Sequence, residues 1–271
     1  MTQHPQLAIL GFGTMGQAIC SGLVEASGYP AGLIHAVDVH PAAMKPRAEA
    51  LGIRLSKEAD GAVKAAEVVL LCVKPKELKG LLDGLTVAGA LDHRPLLVSI
   101  AAGVTLDFLV AHTPAGTPLV RAMPNTPCAI RRGMTVLAAG QGVTEAQLAQ
   151  ARTLFEPLGR VMDLDEKHMD AVTGLSASGP AFMFVILESL AEGGVQCGLP
   201  RAVATELAAQ MTLGAASMVL ETGRHPAALK DEVTTPAGCT IAGLMVLEDG
   251  RIRSVVARGI ERATQVAAGL G

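Results

Sequence analysis

A chain of 271 residues, 50% of them apolar, is long enough for roughly two packed domains and too hydrophobic to be disordered. Its formal net charge of −3 makes no electrostatic case for nucleic acid or an anionic membrane as a partner. With aromatic residues at 2% and no Trp, it lacks the stacking platforms that single-stranded nucleic acid requires, and its core has to come from Ala, Val, Leu, Ile and Met.

The first apolar run, Leu7–Leu10, predicts a strand; it is too short for the core of a signal peptide and stops at Gly11. A helix over Thr14–Ala26 follows, then a strand at Leu33–Val37 and a helix at Pro41–Leu51. The alternation continues with strand Val68–Val73, helix Lys76–Leu82, strand Leu96–Ile100 and helix Thr105–Ala111. Strands at Leu119–Met123 and Met134–Ala139 come next, and Thr144 and Gln147 have the capping-box spacing that opens a further helix. Strand and helix in alternation imply βαβ units about a largely parallel sheet.

From Glu166 onward no strand is expected. Pro180–Gly193, Pro200–Glu221 and Gly238–Leu270, the last broken near Asp249-Gly250, read as long, Ala-rich helices. Helices this apolar in so small a domain need another subunit to cover them, so at least a homodimer is expected. The longest uninterrupted apolar run among them, Ala181–Leu187, ends at Glu188, far short of a membrane span. The five cysteines, Cys20, Cys72, Cys128, Cys197 and Cys239, are widely spaced, form no metal-type pair and read as reduced thiols. The expected location is the cytoplasm.

The chemistry begins at Gly11-Phe12-Gly13-Thr14-Met15-Gly16, a Gly-x-Gly-x-x-Gly spacing that follows a strand and opens a helix. Gly11 permits the tight turn, Gly13 lets a pyrophosphate approach bare backbone, and Gly16 lets the helix pack on the sheet. The helix N-terminus offers free N–H groups to the phosphates. This is the signature of a nicotinamide dinucleotide site, the alternative being a glycine-rich turn in some other doubly wound fold. The fold class is therefore α/β, an N-terminal Rossmann domain over residues 1–164 followed by an all-α dimerisation domain over 165–271.

Asp38 ends the second strand, where an acidic residue bonds the adenine ribose and repels a 2′-phosphate. That leans towards NADH over NADPH, although Asp38 can instead cap the turn before Pro41, and a protonated His40 would offset the repulsion. Val73-Lys74-Pro75 and Ser99-Ile100-Ala101-Ala102-Gly103 stand at neighbouring strand ends, where ligands of open α/β sheets bind. Each taken singly serves as well for a plain strand-to-helix turn.

Read in order, these segments resemble the pyrroline-5-carboxylate reductases. The resemblance runs through Arg121-Ala122-Met123-Pro124-Asn125-Thr126-Pro127 and Ala171-Val172-Thr173-Gly174-Leu175-Ser176-Ala177-Ser178-Gly179-Pro180. It continues through His225-Pro226 to Thr235-Pro236-Ala237-Gly238-Cys239-Thr240-Ile241, and so covers essentially the whole chain. It implies NADPH- or NADH-dependent reduction of the cyclic imine 1-pyrroline-5-carboxylate to L-proline, the last step of proline biosynthesis. It also implies a helical domain that interlocks two subunits, such dimers either standing alone or, as is often the case in the family, assembling into decamers of five dimers.

By position, Gly11, Phe12, Gly13, Thr14, Met15, Gly16, Asp38, Val73, Lys74, Pro75, Ala101 and Ala102 would line the coenzyme, with Asn125 near the nicotinamide. The substrate would lie between one subunit's nicotinamide and helical-domain residues partly from the neighbouring chain, its carboxylate meeting the N–H groups around Gly238, Cys239 and Thr240 and the Thr240 hydroxyl, at a helix start and so a ready anion site. Ser176, Ser178 and Thr173 would face it. Two departures stand out: the family commonly has Gly where Ala237 and Ala177 stand here, and position 237 is expected to tolerate Ala without a left-handed backbone.

Reducing a C=N bond needs hydride on carbon and a proton on nitrogen. If the imine is already protonated, orientation suffices and no strong general acid is needed. That matches a chain with seven His but no catalytic His or Lys constellation. Thr240 or Ser178 could bond the nitrogen directly or through water, although such hydroxyls also cap helices. Two rivals are a β-hydroxyacid dehydrogenase, which would need a Lys that Pro180–Gly193 lacks, and a nucleotide-binding regulator without turnover.

Overall fold

The computed structural model describes residues 4–270. Strand β1 (Leu7–Leu10) is buried at every position, as expected of a central parallel strand covered on both faces. Its side chains alternate. Leu7 and Ile9 join a core with Phe12, Ile19 and Leu23, while Ala8 and Leu10 join a second core with Leu78 and Leu82.

The chain then alternates through α1 (Thr14–Ser21), β2 (Ile34–Val37), α2 (Pro41–Leu51), β3 (Arg54–Ser56), α3 (Asp60–Lys64) and β4 (Val68–Leu71). It goes on through α4 (Pro75–Val87), β5 (Leu96–Ser99), α5 (Leu106–Ala111), β6 (Leu119–Met123), β7 (Gly133–Ala139), α6 (Glu145–Thr153) and β8 (Gly159–Asp163). These strands form one eight-stranded sheet in the order β3-β2-β1-β4-β5-β6-β7-β8. Every pair is parallel except β6 with β7. The order reverses direction between β1 and β4, which makes their carboxyl ends the topological switch point.

Local signals account for the boundaries. Thr144 accepts from the Gln147 N–H while the Gln147 side chain bonds back to the Thr144 N–H, the expected capping box. Thr105 proves to be the cap of α5, its hydroxyl accepting the Phe108 N–H at 3.1 Å. Strands β3 and β8 and helix α3 were not expected. Both strands lie at sheet edges with mostly exposed or half-buried residues, so neither carries an apolar run that periodicity could detect. Helix α1 also does not stay α-helical to Ala26, because Gly22–Ala26 winds as a π-helix.

The rest is helical: α7 (Met169–Val172), a π-helical turn at Thr173–Ala177, α8 (Gly179–Gln196), α9 (Arg201–Thr222), α10 (Pro226–Glu232), α11 (Cys239–Asp249) and α12 (Ile252–Ala267). The break expected near Asp249-Gly250 falls there, with Arg251 at φ 56°. Helices α8 and α9 approach closely, since a Cβ on Gly194 would stand 3.0 Å from that of Ala204. The chain divides into two compact units, one of residues up to 178 with those from 262 on, the other Gly179–Glu261.

In the second unit Phe184, Val185, Leu207, Leu220, Met245 and Val246 are each more than half exposed. By length and composition, Glu166–Gln196 and Arg201–Thr222 could each cross a membrane, although no single apolar run among them is long.

Candidate active site

The glycine loop has the geometry its spacing predicts. Gly11 takes φ 96°, and a Cβ there would stand 2.7 Å from the Cys72 carbonyl oxygen. A Cβ on Gly16 would stand 2.3 Å from the Gly11 oxygen, so α1 can start here only without one. At Gly13 a Cβ would meet nothing within 4 Å, which leaves open backbone in front of the first N–H groups of α1. Phe12 turns its ring fully into the core, so only its backbone belongs to the loop. Thr14 is exposed, and Met15 packs partly on the core.

A cavity of about 250 Å³ opens at the switch point, lined by Gly11, Gly13, Asp38, Lys57, Val73 and Lys74. Four strand ends supply these groups, after β1, β2, β3 and β4. Asp38 is half-buried, and both its oxygens are engaged: Oδ2 accepts the Phe12 N–H and Oδ1 the His40 N–H, each at 2.9 Å. It therefore caps the turn while lining the cavity. Each carboxylate oxygen retains a lone pair for a ribose hydroxyl.

Cys72 forms part of the wall, and burial pushes its thiol well up, so it stays neutral there. Pro75 is the first residue of α4. Lys57 was not singled out from sequence; it follows the three-residue β3, and recognising that edge strand is what would have placed it at a strand end.

Farther along the same sheet edge, Ala101 is buried and its N–H bonds the Ser99 hydroxyl at 3.3 Å, with Ala102 half-buried beside it. Asn125 stands one residue beyond Pro124, past the end of β6. Its Oδ1 accepts the Met134 N–H at 3.0 Å, and its Nδ2 donates to the Ser176 carbonyl at 3.3 Å and the Ser176 hydroxyl at 3.4 Å. The structure thus brings Asn125 and Ser176 together across 51 residues of sequence. Thr173 is buried and its hydroxyl donates to the Met169 carbonyl one turn back, which leaves it only as an acceptor. Ser178 is half-buried, with its N–H on the Thr173 carbonyl at 3.0 Å.

In the second unit, Gly238 is the N-cap of α11, and Cys239 and Thr240 are its first residues. The amides there lack intrahelical partners and point towards the start of the helix. A Cβ on Gly238 would stand 2.4 Å from the Thr235 hydroxyl and 3.1 Å from the Thr235 carbonyl oxygen, so any side chain here would have to displace Thr235. Cys239 is exposed and Thr240 half-buried. Position 237 departs from expectation: Ala237 takes φ 56°, the left-handed region that disfavours a Cβ, because the chain must reverse just before the cap.

A glycine loop at a helix start, an acidic residue after β2 and a cavity at the switch point define a nicotinamide-dinucleotide-dependent oxidoreductase of the Rossmann class. Comparison with known proteins narrows this. Residues 166–270 match the family model for pyrroline-5-carboxylate reductase dimerisation, and residues 6–103 match that for the coenzyme F420-dependent NADP oxidoreductases. The pyrroline-5-carboxylate reductase of a Synechocystis strain is 42% identical over 266 residues, covering 98% of each chain. Among solved structures, the reductase of Coxiella burnetii superposes with a TM-score of 0.91 at 31% identity over 99% of both chains. The Plasmodium falciparum reductase, solved with NADP bound, gives 0.90 at 25% identity over the full length of both. The chain belongs to the pyrroline-5-carboxylate reductase family, and with it go a nicotinamide coenzyme, a small-molecule substrate and a homo-oligomer.

Proposed function

We propose that this protein reduces 1-pyrroline-5-carboxylate to L-proline with NAD(P)H, as the last step of proline biosynthesis. The observation that carries this reading is the pairing of two prepared anion sites in one chain of this family. One is the open backbone at Gly13, suited to a pyrophosphate; the other is the start of α11 at Gly238, suited to a carboxylate. When bound, the coenzyme supplies the hydride.

The residues do the holding. Gly11 to Gly16, Asp38, Val73-Lys74-Pro75 and Ala101-Ala102 bind the dinucleotide, and Asn125 sits by the nicotinamide. The substrate carboxylate takes N–H groups at Gly238, Cys239 and Thr240 together with the Thr240 hydroxyl, while Ser176 lines the pocket. Thr240 or Ser178 bonds the ring nitrogen, and of the candidate hydroxyls Thr173 is the least available as a donor because its proton is already given to Met169. Orientation rather than a strong acid then accounts for the rate.

Asp38 leans the coenzyme preference towards NADH. Asp38 lines the cavity at the switch point, and a 2′-phosphate beside its carboxylate would be repelled. Residues 1–164 form the coenzyme-binding domain and 165–271 the substrate-binding and dimerisation domain, a division supported by the match beginning at residue 166. The oligomer is a homodimer or a decamer of five such dimers. The protein works in the cytoplasm, without nucleic acid or membrane partners.

The test is coenzyme oxidation with 1-pyrroline-5-carboxylate as the varied substrate, with proline assayed as product. Turnover yielding proline is expected, faster with NADH. Dinucleotide binding without turnover would overturn the substrate assignment and leave only the coenzyme domain.

A further inference from the structure

Arg121 sits in the middle of β6 at 3% exposure, flanked by the buried Val120 and Ala122. A guanidinium there costs more to bury than an apolar residue of its size, so it calls for a role other than stability. Its Nη1 donates to Glu166 Oε1 at 2.8 Å. Its Nη2 is enclosed and has no hydrogen-bond acceptor among the described residues, with Asp170 Oδ1 standing 3.9 Å away.

Glu166 reaches further, because the same Oε1 accepts the Leu106 N–H at 2.6 Å and so ties in the start of α5. Four residues beyond Arg121, past the end of the same strand, Asn125 bonds Ser176. One stretch of chain is therefore fastened at two points, near Glu166–Asp170 to Arg121 on β6 and at Ser176 to Asn125 just past the strand's end. Ser176 itself lies in the π-helical turn Thr173–Ala177, a winding that occurs mostly as a local bulge and often at functional sites.

We propose that Arg121 is a positioning residue that seats Glu166–Ala177 on β6, through Glu166 and Asp170, so that Ser176 stays in place against Asn125 for the reaction. This rests on the reading of Asn125 and Ser176 as active-site residues. Arg121 is well suited to the task because its planar fork can serve two carboxylates at once, which a lysine ammonium cannot do with the same geometry.

The experiment compares the full-length protein with Arg121→Lys and Glu166→Gln. It measures hydrogen exchange along the chain, coenzyme Kd and steady-state kinetics with the imine. In Arg121→Lys, exchange over residues 166–178 is expected to rise tenfold or more, while β1 and the Gly11–Gly16 loop are unchanged. Coenzyme Kd should stay within twofold, and the imine KM should rise tenfold or more with a smaller change in kcat. Glu166→Gln keeps an acceptor oxygen but loses the charge, so it should shift the same quantities less, and it serves as the test if the lysine variant does not fold. Unchanged exchange over 166–178, or exchange and coenzyme Kd altered together across the chain, would overturn the proposal. If exchange changes as expected but the wild type does not reduce the imine, the seating role stands and the substrate reading falls.

Discussion

Ala237 shows how one methyl group sits at odds with its backbone. At φ 56° a Cβ costs roughly 1–2 kcal/mol, whereas glycine's extra freedom in the unfolded chain gives back about 0.5–1. Ala237→Gly should therefore stabilise the protein by about 0.5–1 kcal/mol in urea denaturation; a loss of stability would mean that the methyl packs usefully. Thr240→Ala should raise the imine KM about tenfold or more, since it removes one hydrogen bond to a charged carboxylate, while leaving coenzyme affinity unchanged. Weakened coenzyme binding with an unaltered KM would remove Thr240 from the substrate site. Asp38→Ser should raise the NADPH-to-NADH ratio of kcat/KM, and because its oxygens also cap Phe12 and His40 it should lower Tm as well. A lower Tm with no change in the ratio would reduce Asp38 to its capping role. At this scale the glycines were legible because their spacing is itself the geometry. That both oxygens of Asp38 are taken by N–H groups was not, since a sequence cannot say how many N–H groups one carboxylate receives.

The elements legible from sequence were those with long apolar runs or reciprocal caps, such as β1, β4 and α6. The edge strand β3 escaped because its exposed Arg54 and half-buried Leu55 and Ser56 carry no period. Yet β3 contains a titrating contact. His35 on β2 lies opposite Arg54 in the register, and its Nε2 meets the Ser56 hydroxyl at 2.9 Å. Burial, and then the nearby Arg54 charge, hold the His35 pKa below its ordinary value. The unfolded chain therefore binds this proton more readily than the folded one. The His35 contribution is intact above about pH 6.5 and is lost as pH falls from there towards the folded pKa. Urea denaturation at about pH 7.5 and about pH 5.5 should show that His35→Gln loses less stability on acidification than the wild type does. Equal losses would mean that His35 does not sense pH.

For the whole molecule, the decisive fact is the apolar surface of α8, α9 and α11, which one chain leaves uncovered. Phe184 is 64% and Leu220 61% exposed, and exposed patches of this kind mark an interaction surface. Length and hydropathy alone would equally suit a bilayer, but the match of this region to a dimerisation family assigns the surface to a second subunit. The sequence pointed the same way, because helices apolar on most sides cannot be solvated, though which faces meet could not be read from it. A buried aromatic anchor at an interface is worth about 2–4 kcal/mol, and a charge placed there adds a desolvation cost. Phe184→Asp and Leu220→Asp should each weaken dimerisation by at least about thirtyfold, the equivalent of roughly 2 kcal/mol, as read by sedimentation. Coenzyme affinity should hold, since the glycine loop and the Asp38 cavity belong to the other compact unit. Imine reduction should fall in step with the dimer and recover at high protein concentration. A variant that stays dimeric at every concentration would move the interface to other faces of these helices. One that dissociates yet turns over at full rate would show that a single subunit holds the whole active site.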